Sequence, residues 1–188
     1  MLPRDLLPSQ FQHKAFIAGG YAACPALAND IDVWIPVYPI ESRNPWEELV
    51  LTRKQILIHL EFARIHRGFN VEEQDGDETV RATLRSTFEG YCLPLPIRRA
   101  AAVQIPGASL PYHLVLVAGD IDEVLSSFDI STHQIALTEY GVVKGEHWTP
   151  LWEPPVIIQH KFTTTARIEK IRARYSPFTV KESDDKTS

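Results

Sequence analysis

Phe16-Ile17-Ala18-Gly19-Gly20, and nine residues later Asp30-Ile31-Asp32-Val33-Trp34-Ile35, is the stretch from which the rest of the chain is read. One apolar run ends in two glycines, and a second begins with two aspartates around one isoleucine. Side chains two apart on a strand share a face. Asp30 and Asp32 are therefore expected to point together, with Ile31, Val33 and Ile35 on the opposite side. Two carboxylates about 4 Å apart repel by roughly 4 kcal/mol at an effective dielectric near ~20. A hard divalent cation is the usual offset, and Mg2+ favours one or two carboxylates together with water and phosphate oxygens. Gly19 and Gly20 suit the same site, since bare backbone lets a phosphate approach the N–H groups.

Gly-Gly, nine residues, then Asp-hydrophobic-Asp-hydrophobic resembles the signature of the DNA polymerase β-like nucleotidyltransferase superfamily. Further on, Ser127-Phe128-Asp129-Ile130 with Gln134-Ile135-Ala136, and the segment Thr165-Ala166-Arg167-Ile168-Glu169-Lys170, are similar to parts of the nucleotidyltransferase-like proteins of large viruses and phages. The resemblance covers about residues 14–37 and 120–175. It implies an α+β fold, a small mixed β-sheet flanked by helices in a single domain. It also implies metal ligation by Asp30, Asp32 and Asp129, triphosphate contacts from Gly19 and Gly20, and Mg2+ or Mn2+ as cofactor. The activity implied is transfer of a nucleoside monophosphate from a triphosphate, ATP or another, with release of pyrophosphate. The acceptor would be a hydroxyl on an RNA end, a protein or a small molecule. Many members carry Ser or Arg after the glycines, where this chain has Tyr21-Ala22-Ala23. Phosphate charge then falls to the metal and to Lys161, Arg167 or Lys170.

Two other functions fit the same residues. A catalytically inactive nucleotide- or partner-binding module on this fold would bind triphosphate without turnover. A sugar-nucleotide glycosyltransferase also uses Asp-x-Asp for its metal, but the early glycine pair and the short chain count against it. Among the later acids, Asp120 is placed as a helix cap and Asp122 in a first turn, where negative charge suits the helix dipole. Asp129, between Phe128 and Ile130 at an expected strand start where Asp is disfavoured, is the one expected to complete the site.

Composition bounds the rest. At 188 residues, 44% hydrophobic and 23% charged, the chain is long enough for one domain with a sizeable core. Residues 1–180 are expected in that domain and 181–188 in a polar, disordered tail. A net charge of −5 argues against broad, sequence-independent nucleic-acid binding, leaving a local basic face at Arg167, Lys170 and Arg174. No apolar run approaches the ~18 residues of a membrane span, and the first residues lack a signal-type apolar region. Cys24 and Cys92 suggest neither a disulfide framework nor a zinc site. A cytoplasmic protein with no membrane association is expected.

The clearest helical period covers 45–67, with Asn44-Pro45 as cap and first position and Gly68 as stop. Strands are expected at Phe69–Glu73, Arg98–Ile105 and His113–Val117, with an acidic turn at 74–78. Residues 79–95, containing Arg81, Arg85, Phe88 and Tyr91, read as a loop or an active-site flap. Asp120 and Glu123 form a capping-box pattern. Trp148 and Trp152 pack or offer a stacking surface, and His133 is structural or an aid to catalysis.

Overall fold

Ile31–Pro36 is buried along its whole length except at Asp32, which is half-buried, and the sheet is assembled around it. The computed structural model describes residues 2–38, 44–83, 92–158, 165–175 and 181–182. The first half of the chain forms α1 (Ser9–Gln12), β1 (Phe16–Ala18), α2 (Gly20–Ala23), β2 (Ile31–Pro36), α3 (Pro45–Arg67) and β3 (Asn70–Thr83). It continues with β4 (Cys92–Gln104), β5 (Tyr112–Val117), α4 (Ile121–Ser127), β6 (Ile135–Thr138) and β7 (Gly141–Lys144). Last come β8 (Val156–Ile157), α5 (Thr165–Arg174) and β9 (Lys181–Glu182). Seven strands make one sheet in the order β3-β4-β5-β2-β1-β6-β7. β2 and β5 are parallel and the other neighbours antiparallel, so the fold is α+β with a mixed sheet, as expected.

Strand alternation divides the core into two layers. Ile17, Ile31, Val33, Ile35, Leu114 and Leu116 pack with Leu49, Ile56, Leu60 and Ala63 of α3. Phe16, Ala18, Trp34, Val115 and Val117 face the other way, onto Val124 and Leu125 of α4. A third cluster of Ile130, Ile157, Ile171 and Tyr175 fastens α5 to the segment after α4. The expected helix ends hold: Asn44 accepts at Oδ1 from the Trp46 N–H at 3.0 Å, Pro45 opens α3, and Gly68 closes it at φ 70°. Asp120 and Glu123 complete a reciprocal capping box at the start of α4.

Three expectations are corrected. The acidic run 74–78 is not a turn: β3 continues through it, with a register shift between Glu73 and Gly76. Arg98 binds Asp75 and Asp77, and Arg99 binds Glu78, so cross-strand pairing offsets what would be an unfavourable acidic strand. Residues 79–83 and 92–95 are strand rather than loop, while the flap residues Arg85, Phe88 and Tyr91 lie outside the described residues. Lys181 and Glu182, expected in the disordered tail, pair in parallel with Val156 and Ile157; residues 183–188 are outside the described set.

Candidate metal centre

Asp30 stands one residue before β2 and Asp32 is its second residue, so both carboxylates lie on the α4 side of the sheet, as period two requires. The neighbouring parallel strand adds a third group. Asp32 of β2 is in register with His113 of β5, and the Ile31 N–H donates to the Pro111 carbonyl at 2.9 Å, fixing that register at its start. One ligand atom from each of Asp30, Asp32 and His113 lies within 4.8 Å of the other two. His113 Nδ1 is 3.8 Å from Asp30 Oδ2. Among the described residues this is the one such group of three.

Burial raises the Asp32 pKa from 3.8 to about 6, with the Asp30 charge adding to the rise; His113 and Arg99 act in the opposite direction. The carboxyl is thus held partly desolvated beside a like charge, which a cation would relieve. The donor set also bears on the metal. Two carboxylates alone suit Mg2+, whereas an imidazole alongside them favours Mn2+ or a later transition ion.

The glycine pair borders this group. Gly19 has φ 84°, and a Cβ built there would lie 3.6 Å from Asp32 Oδ2 and 3.7 Å from the Phe128 ring. A Cβ on Gly20 would come 3.3 Å from an Arg174 terminal nitrogen. Arg174 also donates through Nη2 to the Leu27 carbonyl at 3.3 Å. Bare backbone therefore lies between a carboxylate and a guanidinium. Trp34, two residues beyond Asp32 on the same face, is buried, and its indole Nε1 has no hydrogen-bond partner among the described residues.

The remaining expected residues are placed differently. Asp129 is not on a strand; it follows α4, and only Ile130 makes an isolated bridge, with Ile157. Its carboxylate receives Nε of Arg167 at 3.0 Å and Nη2 at 3.2 Å, and it is not part of the group of three. Arg167, expected to meet phosphate, is thus engaged by Asp129, a pairing that raises its pKa. Lys170 is exposed on α5, and Lys161 lies outside the described residues. His133 is buried and hydrogen-bonded through Nε2 to the Tyr175 hydroxyl at 2.7 Å. Burial is the largest cause lowering its pKa to about 4, with Arg167 next; it joins the segment after α4 to α5. Trp148 is covered by the Lys144 ammonium, 3.7 Å from the ring centroid, whereas Trp152 is exposed.

Two site residues escape sequence reasoning. His113 opens an expected strand, but only the parallel register of β2 and β5 brings it to Asp32. Arg99 reaches the field of Asp32 because it pairs with Val115, on the same sheet face. No protein-family model, curated protein or solved structure matches the chain. No helix among the described residues is long and apolar enough to cross a membrane.

Proposed function

We propose that the chain is a metal-dependent nucleotidyltransferase that moves a nucleoside monophosphate from a triphosphate to a hydroxyl acceptor. The observation that carries this reading is the Asp30–Asp32–His113 group set directly beside the bare backbone of Gly19 and Gly20. A divalent ion bound there would neutralise triphosphate charge and lower the pKa of an acceptor hydroxyl. Asp30, Asp32 and His113 would hold it, with Mn2+ favoured over Mg2+ by the imidazole. Gly19 and Gly20 admit the phosphates without side-chain obstruction, and Arg174 supplies positive charge at the same spot. Arg174 takes the phosphate role that Tyr21-Ala22-Ala23 cannot fill.

One observation favours a second reading, a nucleotide- or partner-binding module without turnover. The Asp129–Arg167 pair occupies the carboxylate that a two-metal site would need. Incubation with each α-labelled triphosphate, Mn2+ or Mg2+, and total RNA and protein separates the two. Label transferred to an acceptor supports the enzyme; tight metal-dependent binding with no transfer and no pyrophosphate supports the module. Neither binding nor transfer removes both.

A further inference from the structure

α3 is apolar on two faces. Leu49, Thr52, Ile56, Leu60 and Ala63 are buried against the sheet. On the side facing solvent, Leu51, Ile58, Phe62 and Ile65 are 41%, 74%, 61% and 64% exposed. A helix that only covers a sheet carries one apolar stripe. With Gln55, the outer residues are spaced four, three, four and three apart. That is the 3.5-residue repeat of a seam between two helices.

We propose that this seam joins two copies of the chain, α3 against α3, antiparallel about a two-fold axis. Charge selects the orientation. The first turn of α3 is acidic, with Glu47 and Glu48, and the last is basic, with Arg64, His66 and Arg67. A parallel pair sets like ends together, whereas an antiparallel pair sets each acidic end toward a basic one. Charge also selects the register. When Leu51 is layered on Phe62 of the second copy, and Ile58 on Gln55, Lys54 falls beside the second copy's Glu61, and symmetry repeats the pair. The alternative register, Ile58 on Phe62 of the second copy, brings Glu61 onto its own counterpart, with only the Arg64 that each Glu61 already binds at 2.6 Å to offset the repulsion, and leaves Lys54 with no acid opposite.

The surroundings agree with a helix as occupant. Lys54, Glu61 and Arg64 give the seam a rim of mixed sign, unlike the uniformly basic rim that anionic lipid recruits. Beside it, an open hollow of about 590 Å³ between α3 and β3, lined by Leu57, Ile58, Glu61, Arg64, Val71 and Glu73, leaves room for the second copy's side chains. The seam is short, about 21 Å at ~1.5 Å per residue, which suits a small, dissociable dimer.

Sedimentation of the full chain over a concentration series tests this. Wild type should pass from monomer to dimer across the micromolar range. Ile58→Glu, at an exposed position, should melt as the wild-type monomer does at low concentration and stay monomeric throughout. Lys54→Glu should weaken the dimer about tenfold, and adding Glu61→Lys should restore it. A wild type that stays monomeric overturns the proposal, including one that instead floats with anionic vesicles. So does a dimer that survives Ile58→Glu, or a charge swap that restores nothing.

Discussion

Asp32 is half-buried and His133 buried, and their protonation works on stability in opposite senses. The Asp32 pKa is raised from 3.8 to about 6 on folding. The folded state then holds more proton between those values, and this group adds stability as pH falls through 6. His133 is lowered from 6.5 to about 4; its neutral form is the one that fits, and its contribution is lost as pH falls below 6.5. The two offset each other between about pH 4 and 6. Asp32→Asn removes one side of this balance. In chelator at pH 7 it should be more stable than wild type by about 2 kcal/mol, somewhat less than the ~1.4 kcal/mol per pKa unit of the full shift. Below pH 6 it should lose stability by up to ~1.4 kcal/mol per pH unit where wild type is nearly flat. Urea melts at pH 4 to 7 would show this, and identical pH profiles would contradict it. His113→Gln tests the third ligand: Mn2+ affinity should fall at least tenfold while Mg2+ affinity falls less, as read by calorimetry. The pairing of Asp30 with Asp32 was legible because a period of two is local. His113 was not, because a parallel register is fixed by strands about 80 residues apart.

At the scale of elements, helix ends were the most legible feature, since caps are written within four residues: Asn44-Pro45, Gly68, and Asp120 with Glu123 all do what their types dictate. The strand expected at Asp129 is absent. Its neighbours Phe128 and Ile130 suggest a strand, but its partner Arg167 comes from α5. That partner changes the outcome expected of Asp129→Asn. A carboxylate needed only for metal would leave the metal-free fold unharmed when neutralised. Asp129 instead accepts two hydrogen bonds from Arg167, and the Ile158 N–H donates to its carbonyl. Asp129→Asn should therefore destabilise the metal-free protein by about 1 to 2 kcal/mol, as loss of a half-buried charged pair does. Limited proteolysis should show α5 loosening first. Thermal melts in EDTA check it, and an unchanged or higher melting temperature would restore Asp129 to the metal site.

Over the whole molecule, the α+β class was implied by the family resemblance, while apolar periodicity marked α3 and the strands that became β4 and β5. Neither showed the long β3–β4 hairpin. Its acidic stretch has turn-like composition, and Arg98 and Arg99 on the facing strand, with Arg53 of α3, make it a tolerable strand. The fold as a whole brings two carboxylates and an imidazole together, with Gly19 beside Asp32 and Gly20 beside Arg174. If that assembly is a triphosphate site, the metal is what makes it one, because Asp30 and Asp32 repel phosphate without it. The most direct measurement is calorimetric titration of the full chain at pH 7.5 with a nucleoside triphosphate, in Mn2+ and in EDTA, for wild type and Asp32→Asn. Binding by wild type in Mn2+ alone, and none by Asp32→Asn in either buffer, is the result expected. Equal affinity in EDTA, or full binding by Asp32→Asn, would contradict a metal-borne nucleotide site.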